Sequence, residues 1–151
     1  MSLSKSMLYL LLLLFIMLLV GLVLLAKKSQ IAPKLGVTQG QFQPCEYASN
    51  CINSMLDEHE AIPLDNMATQ WARVPSIIKQ LGGQLVSSEG HYLRANFHSK
   101  WLGFEDDLEL LLDEERSLIH LRAASRVGRS DFGVNRKRIN ALREQLLVQT
   151  K

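Results

Sequence analysis

From Met7 to Ala26 the chain reads MLYLLLLLFIMLLVGLVLLA, without a charged residue. That length matches the hydrocarbon thickness of a bilayer, and inside lipid a backbone must satisfy its own polar groups, so the stretch is expected to be a transmembrane helix. Lys5 ahead of the run also suits a signal peptide, but the run is long and no small-x-small cleavage site precedes Lys27. The 151 residues are therefore divided into an N-terminal tail (1–6), a transmembrane helix (7–26), a stalk (27–43) and one folded domain (44–151). The stalk reading rests on polar composition with Pro33, Gly36 and Gly40.

Setting the anchor aside changes the charge reading. Lys5, Lys27, Lys28 and Lys34 account for four of the 17 basic residues, so the chain beyond Gly36 holds 13 basic against 15 acidic side chains. A nucleic-acid partner is not expected, since such domains carry a broad basic excess. Charge is segregated instead: Glu105–Glu115 (EDDLELLLDEE) is acidic, while Arg122–Arg143 holds seven basic residues and only Asp131 as an acid.

The lysines flanking the apolar run are balanced, so positive-inside counting does not set its orientation. The two cysteines, Cys45 and Cys51 in PCEYASNC, give a separate indication. Their spacing around turn-forming residues suits a disulfide in an oxidising compartment; a redox or metal pair and inert thiols remain open at this point. A disulfide favours a domain outside the cytoplasm.

Hydrophobic period outlines the domain. Glu60–Leu64 can form a short edge strand limited by Pro63. Asp65 can cap a helix carrying Met67, Trp71, Val74, Ile78 and Leu81 on one face, with Pro75 expected to kink or restart it and Gly82–Gly83 ending it. The period then changes to two: a hairpin around Glu89–Gly90, with Leu93, Ala95 and Phe97 inward, then strands with Leu108, Leu110 and Leu112, and with Ile119, Leu121 and Ala123, on one face. A last helix buries Ile139, Leu142 and Leu146, with Asn135 as its expected N-cap and Val134 and Ile139 as a staple. The expected fold is α+β, a transmembrane helix followed by an antiparallel four- or five-stranded sheet packed on two helices.

In such a meander, strand ends and starts gather at one sheet edge, which brings together Asp106, Asp107, Ser125, Arg126, Asp131, Asn135, Arg136 and Arg138. The basic first turn of the last helix opposes the helix dipole. Two readings account for it. Arg126, Arg136 and Arg138 with free helix N–H groups form an anion site for phosphate or carboxylate; or Asp106 and Asp107 close an internal salt-bridge network, which is the stronger reading because buried charges need nearby partners. A triad of Ser125, His120 or His98, and Asp131 lacks the glycine pattern of a nucleophile elbow. Asp106 and Asp107 point to opposite faces and would not share a proton. His59, His91, His98 and His120 lack zinc-ligand spacing, so neither metal nor cofactor is expected.

PCEYASNC, GFEDDLEL and above all RAASRVGRSDFGVNRKRI give the segment from Gly40 to Leu146 a further reading: it resembles the domain of unknown function 1499 family. The resemblance implies residence in bacterial envelopes or chloroplasts and brings no established activity. Its pattern falls on Cys45, Asn50, Cys51, Phe104, Asp106, Asp107 and Arg122, and continues through Ser125, Arg126, Gly128, Asp131, Gly133, Asn135 and Arg136. Ala123 departs from the serine often found there, and no lipobox surrounds the cysteines. The expected function is a membrane-anchored, non-enzymatic binding or assembly module, with another envelope protein or an anionic headgroup or metabolite as partner. The rival is a hydrolase or transferase acting on an anionic substrate at the Asp106/Arg126/Asn135 edge.

Overall fold

A computed structural model describes residues 4–148. The first three residues of the expected tail and the last three of the expected domain lie outside the described residues. Helix α1 (Lys5–Ser29) contains the apolar run and is long and apolar enough to cross a membrane as a single span. Ser4 caps it by accepting the Met7 N–H, and Lys27 and Lys28 occupy its last turn, where positive charge suits the dipole. Its apolar side chains stand away from the domain, and only Ala26 and Ser29 near its end are buried.

The domain is an antiparallel sheet with two helices on one face, the α+β arrangement expected. Its elements are β1 (Cys51–Asn53), β2 (Ile62–Pro63), α2 (Met67–Gln80), β3 (Gln84–Glu89), β4 (Tyr92–His98), β5 (Glu105–Asp113), β6 (Leu118–Ser125) and α3 (Val134–Leu147). The sheet runs β1-β6-β5-β4-β3, and β2 pairs with β6 further along the edge that β1 uses. β2 lies within the edge strand expected at Glu60–Leu64, and the additional strand is β1, whose three residues are too few to give a hydrophobic period.

One face carries the core. Leu93, Ala95 and Phe97 of β4, Leu108 and Leu110 of β5, and Ile119, Leu121 and Ala123 of β6 are buried against Val74, Ile77 and Ile78 of α2 and Ile139, Leu142 and Leu146 of α3. Gln70 ties the two helices by donating to the Leu146 carbonyl (3.0 Å). Gly83 permits the close turn from α2 into β3: a Cβ there would lie 2.6 Å from the Phe97 ring.

Two local expectations are corrected, at the caps of α2 and α3, and one is narrowed, at Pro75. The cap of α2 is Asn66 and not Asp65, its Oδ1 accepting the Thr69 N–H at 3.2 Å. The helix runs through Pro75 without restarting; Val74, Ile77 and Ile78, all buried, hold both halves on the same sheet. In α3 the N-cap is Gly133, in a left-handed conformation (φ 77°), and Asn135 is already inside the helix. Burial decides this: the Asn135 side chain is 1% exposed and engaged elsewhere, so it does not cap its own helix.

The opposite face of the sheet is also covered. Of the stalk expected at 27–43, residues 27–29 belong to α1, and residues 30–44 form a strap that leaves α1, crosses β5 and turns back at a Thr38–Gln41 bridge. Gly36 N–H donates to Glu109 (2.9 Å), Phe42 is buried, and the carbonyls of Gln43 and Pro44 accept from Asn53 and Arg122. Cys45 and Cys51 form a disulfide that joins the end of the strap to β1.

Candidate functional site

Strand parity sorts the expected edge residues onto two faces of the sheet. Asp106 and Ser125 are register partners on the helix face, where the Ser125 hydroxyl donates to Asp106 (2.5 Å). Arg138 donates to the other Asp106 oxygen (3.0 Å) and to the Asn135 side-chain oxygen, with its guanidinium 4.0 Å from the Phe97 ring centroid. Asn135 donates in turn to Ser125 Oγ (3.3 Å) and the Asn50 carbonyl (3.4 Å). Asn50 closes the group by donating to the Gly128 carbonyl (2.6 Å), which fixes the loop between β6 and α3.

The start of α3 is already occupied by negative charge. Asp131 accepts the N–H of Gly133 (3.0 Å) and of Asn135 (2.8 Å), so its carboxylate sits at the positive end of the dipole. Arg136 pairs with Glu60, whose hydrogen bond holds the guanidinium pKa above its usual value. The basic first turn is therefore divided among separate partners. Asp131, Arg136 and Arg138 do not converge on a common point with Arg126.

Arg126 lies on the other face with Asp107. It grips that carboxylate with two hydrogen bonds (Nε 2.7 Å, Nη2 2.9 Å), and this pairing raises its pKa. Arg94 adds a third contact to Asp107 (2.9 Å), so two guanidinium groups share one carboxylate whose side chain is 2% exposed. Beside them Glu109, fully buried, accepts from Tyr92 Oη (2.8 Å), Arg122 Nη1 (3.2 Å) and Gly36 N–H. Burial, reinforced by the Glu109 carboxylate, pushes the Tyr92 phenol well above its ordinary pKa. The Nε atoms of Arg94 and Arg122 are buried without a hydrogen-bond partner among the described residues.

These charged pairs border a cavity of about 430 Å³ under the strap. Leu25 and Lys28 of α1, Pro33, Leu35 and Pro44 of the strap, Tyr47, and Arg122, Arg126 and Arg129 are among its lining residues. Arg126 is paired with Asp107 and Arg122 with Glu109, so Lys28 and Arg129 set against Glu46 leave the wall a small excess of positive charge. Apolar and cationic groups meet there at the end of the apolar helix.

Sequence reasoning named Asp107 and Arg126, and Arg122 through the family pattern, but missed Glu109, Arg94 and Tyr92. Glu109 and Arg122 are register partners, and Arg94 lies directly opposite Glu109. That matching of charge across three adjacent strands was the available signal. Ser54 and His120 form a further buried pair (3.2 Å), with Ser54 Oγ also accepting the Leu121 N–H (2.8 Å). Arg116 donates to His120 Nε2 (2.9 Å), which leaves Nδ1 to carry the ring proton and donate to Ser54. Burial and the Arg116 charge lower the His120 pKa, in agreement with a neutral ring. In this tautomer Ser54 is a hydrogen-bond acceptor, not an activated nucleophile. Ser125 bonds no histidine, so the Ser125/His/Asp131 triad is not assembled.

The family model for "Protein of unknown function (DUF1499)" matches residues 41–146. The chain belongs to the DUF1499 family. The match covers the returning end of the strap, the disulfide, the whole sheet and nearly all of α3, and it leaves α1 outside. The DUF1499 domain thus contains both the Asp106–Ser125–Asn135–Arg138 group and the Asp107–Arg126 and Glu109–Arg122 pairs. No curated protein and no solved structure matches the chain.

Proposed function

We propose that this DUF1499 protein is a single-span, membrane-anchored binding module of the bacterial envelope, its domain on the periplasmic side of the inner membrane. The ligand is a small anion-bearing molecule, a phosphate or carboxylate compound, held in the cavity between strap and sheet. One observation carries the reading: with Arg126 paired to Asp107 and Arg122 to Glu109, Lys28 and Arg129 still outnumber Glu46 around a half-open cavity beside the apolar helix. A guanidinium offers two parallel donors to a phosphate or carboxylate, and an ammonium beside it adds a point charge. The disulfide supports an oxidising compartment, since such bonds persist there and not in a reducing cytosol.

The Asp106/Arg126/Asn135 edge suits a hydrolase or transferase less well. Asp106, Ser125, Asn135 and Arg138 engage one another, and Arg126 is committed to Asp107 on the opposite face. An assembly role with another envelope protein would use the outer surface and leave the cavity empty.

Thermal unfolding of the full chain in lipid nanodiscs, titrated with inorganic phosphate and with a dicarboxylate, tests the reading. Saturable stabilisation is expected, reaching about 2.7 kcal/mol at a hundredfold excess over Kd. Arg129→Ala and Lys28→Ala, both at exposed positions, should weaken it without loss of fold. A flat titration with both anions removes the anion-binding reading. Turnover of a phosphorylated substrate, abolished by Asp106→Asn, would replace it with catalysis.

A further inference from the structure

The two most exposed large apolar side chains among the described residues are Phe132, at 91%, and Trp101, at 89%. They sit in different loops, yet at the same edge of the sheet. β4 ends at His98 opposite Glu105 at the start of β5, and β6 ends at Ser125 opposite Asp106. The loop 99–104 carrying Trp101 and the loop 126–133 carrying Phe132 therefore both leave from this edge.

The end of the apolar helix is seated there too. Ser29 is fully buried; its hydroxyl oxygen accepts the Glu105 N–H (3.1 Å) and its carbonyl accepts from Arg126 (3.2 Å). These contacts fix which part of the domain meets the helix, so the bilayer that holds α1 lies against this edge. The Trp101 loop is itself well built: Ser99 and Phe104 bond across its base (2.9 Å), and Ser99 accepts from Gly103 (3.0 Å) and Phe104 (3.0 Å). Trp101 and Leu102 are thus held out by a closed turn.

Charge agrees with the same orientation. Lys27, Lys28, Lys100 and Arg129 are exposed at this edge, with Lys100 Nζ 5.6 Å from the Trp101 ring centroid and Arg129 5.6 Å from the Tyr47 ring centroid. Of the acids nearby, Asp106 is paired with Arg138, Asp107 with Arg94 and Arg126, Glu105 with Asn96 and His98, and Asp131 with its own helix start. Glu46 is the exposed acid left over.

We infer that this edge is a membrane-contact surface: Trp101, Leu102 and Phe132 enter the headgroup layer beside α1, with Lys100 and Arg129 against lipid phosphates. Tryptophan is enriched at that depth because its ring is apolar while its N–H stays wet, and basic side chains reach the phosphates from there. The domain is then clamped on the bilayer at a second point and does not swing on its anchor. This inference is independent of whether the cavity binds an anion.

The test uses the full chain reconstituted in phospholipid vesicles, with Trp71→Phe so that Trp101 is the only tryptophan. Lipids brominated near the top of the acyl chain are expected to cut Trp101 emission by about half or more, with a blue shift and protection from aqueous acrylamide. A spin label at Phe132→Cys should report the same depth, while one at Leu56→Cys stays in water. Both labels are placed at exposed side chains, which limits disturbance of the fold. Acrylamide quenching of Trp101 as free as that of an indole in buffer, with no effect of bromolipid, overturns the inference.

Discussion

Replacing Glu109 with leucine should be among the most damaging single changes in the domain. The fully buried carboxylate accepts from Gly36 N–H (2.9 Å), Tyr92 Oη (2.8 Å) and Arg122 Nη1 (3.2 Å). Leaving Arg122 buried without its counter-ion costs about 3–5 kcal/mol. The Tyr92 hydroxyl and Gly36 N–H each lose an acceptor, at about 1–3 kcal/mol apiece, and the buried leucine returns about 2 kcal/mol. The net loss is on the order of 5 kcal/mol, a large share of the roughly 5–15 kcal/mol that holds such a domain. Urea unfolding of the full chain in micelles, followed by Trp71 fluorescence, measures it directly. Arg122→Met alone should cost a similar amount, and the double variant should recover at least half of either loss, because an apolar pair leaves no orphaned charge. A Glu109→Leu loss below about 1 kcal/mol, or losses that simply add in the double variant, would refute the claim that this pair is sealed under the strap.

Asp131→Ala should lower stability by about 1–2 kcal/mol, as for other lost caps, and should make phosphate a stabiliser of the variant beyond any effect on the parent; calorimetry showing neither change contradicts the self-capped helix start. Removing the disulfide with Cys45→Ser and Cys51→Ser should cost about 2 kcal/mol, given the short loop it closes, and should speed hydrogen exchange at the Gly36 amide if that bond secures the strap. His120 has its pKa lowered by burial and Arg116, so its contribution is complete above the unfolded value and is lost as pH falls through the folded one. Stability should therefore decline as pH falls below about 6.5, and a His120→Gln variant should show a shallower decline there; equal acid slopes in the two proteins would show that His120 is not the titrating group.

The inward face of the sheet was legible because period two in β4, β5 and β6 and the 3.6-residue period of α3 each place one apolar set toward a common core. The same parity would have separated the polar residues: Asp106 and Ser125 lie on the helix face, Asp107 and Arg126 on the strap face. Parity set Asp106 and Asp107 apart from the sequence alone, but it was not carried across to Ser125 and Arg126. What covers Glu109 was not legible at all, since Gly36 lies 73 positions earlier in a polar, glycine- and proline-containing stretch that has no periodic face to reveal packing. The α3 cap was misplaced because a carboxylate before a left-handed glycine can serve the helix start as well as an Asn at its first turn.

The strap imposes an order on biosynthesis. Residues 30–44 leave the ribosome directly after the anchor, but the strands they cover extend to Ser125, so their partners come late. Ser29 likewise waits for Arg126, 97 positions downstream. Until β5 and β6 are made, the chain nearest the membrane lacks its partners, and the docking of anchor to domain rests on a long-range contact pattern. A soluble fragment that begins after Pro44 would keep the hydrophobic core and yet expose Glu109 and Arg122 to water, because the contacts that cover this face of the sheet begin as far back as Ser29, upstream of the family boundary at residue 41.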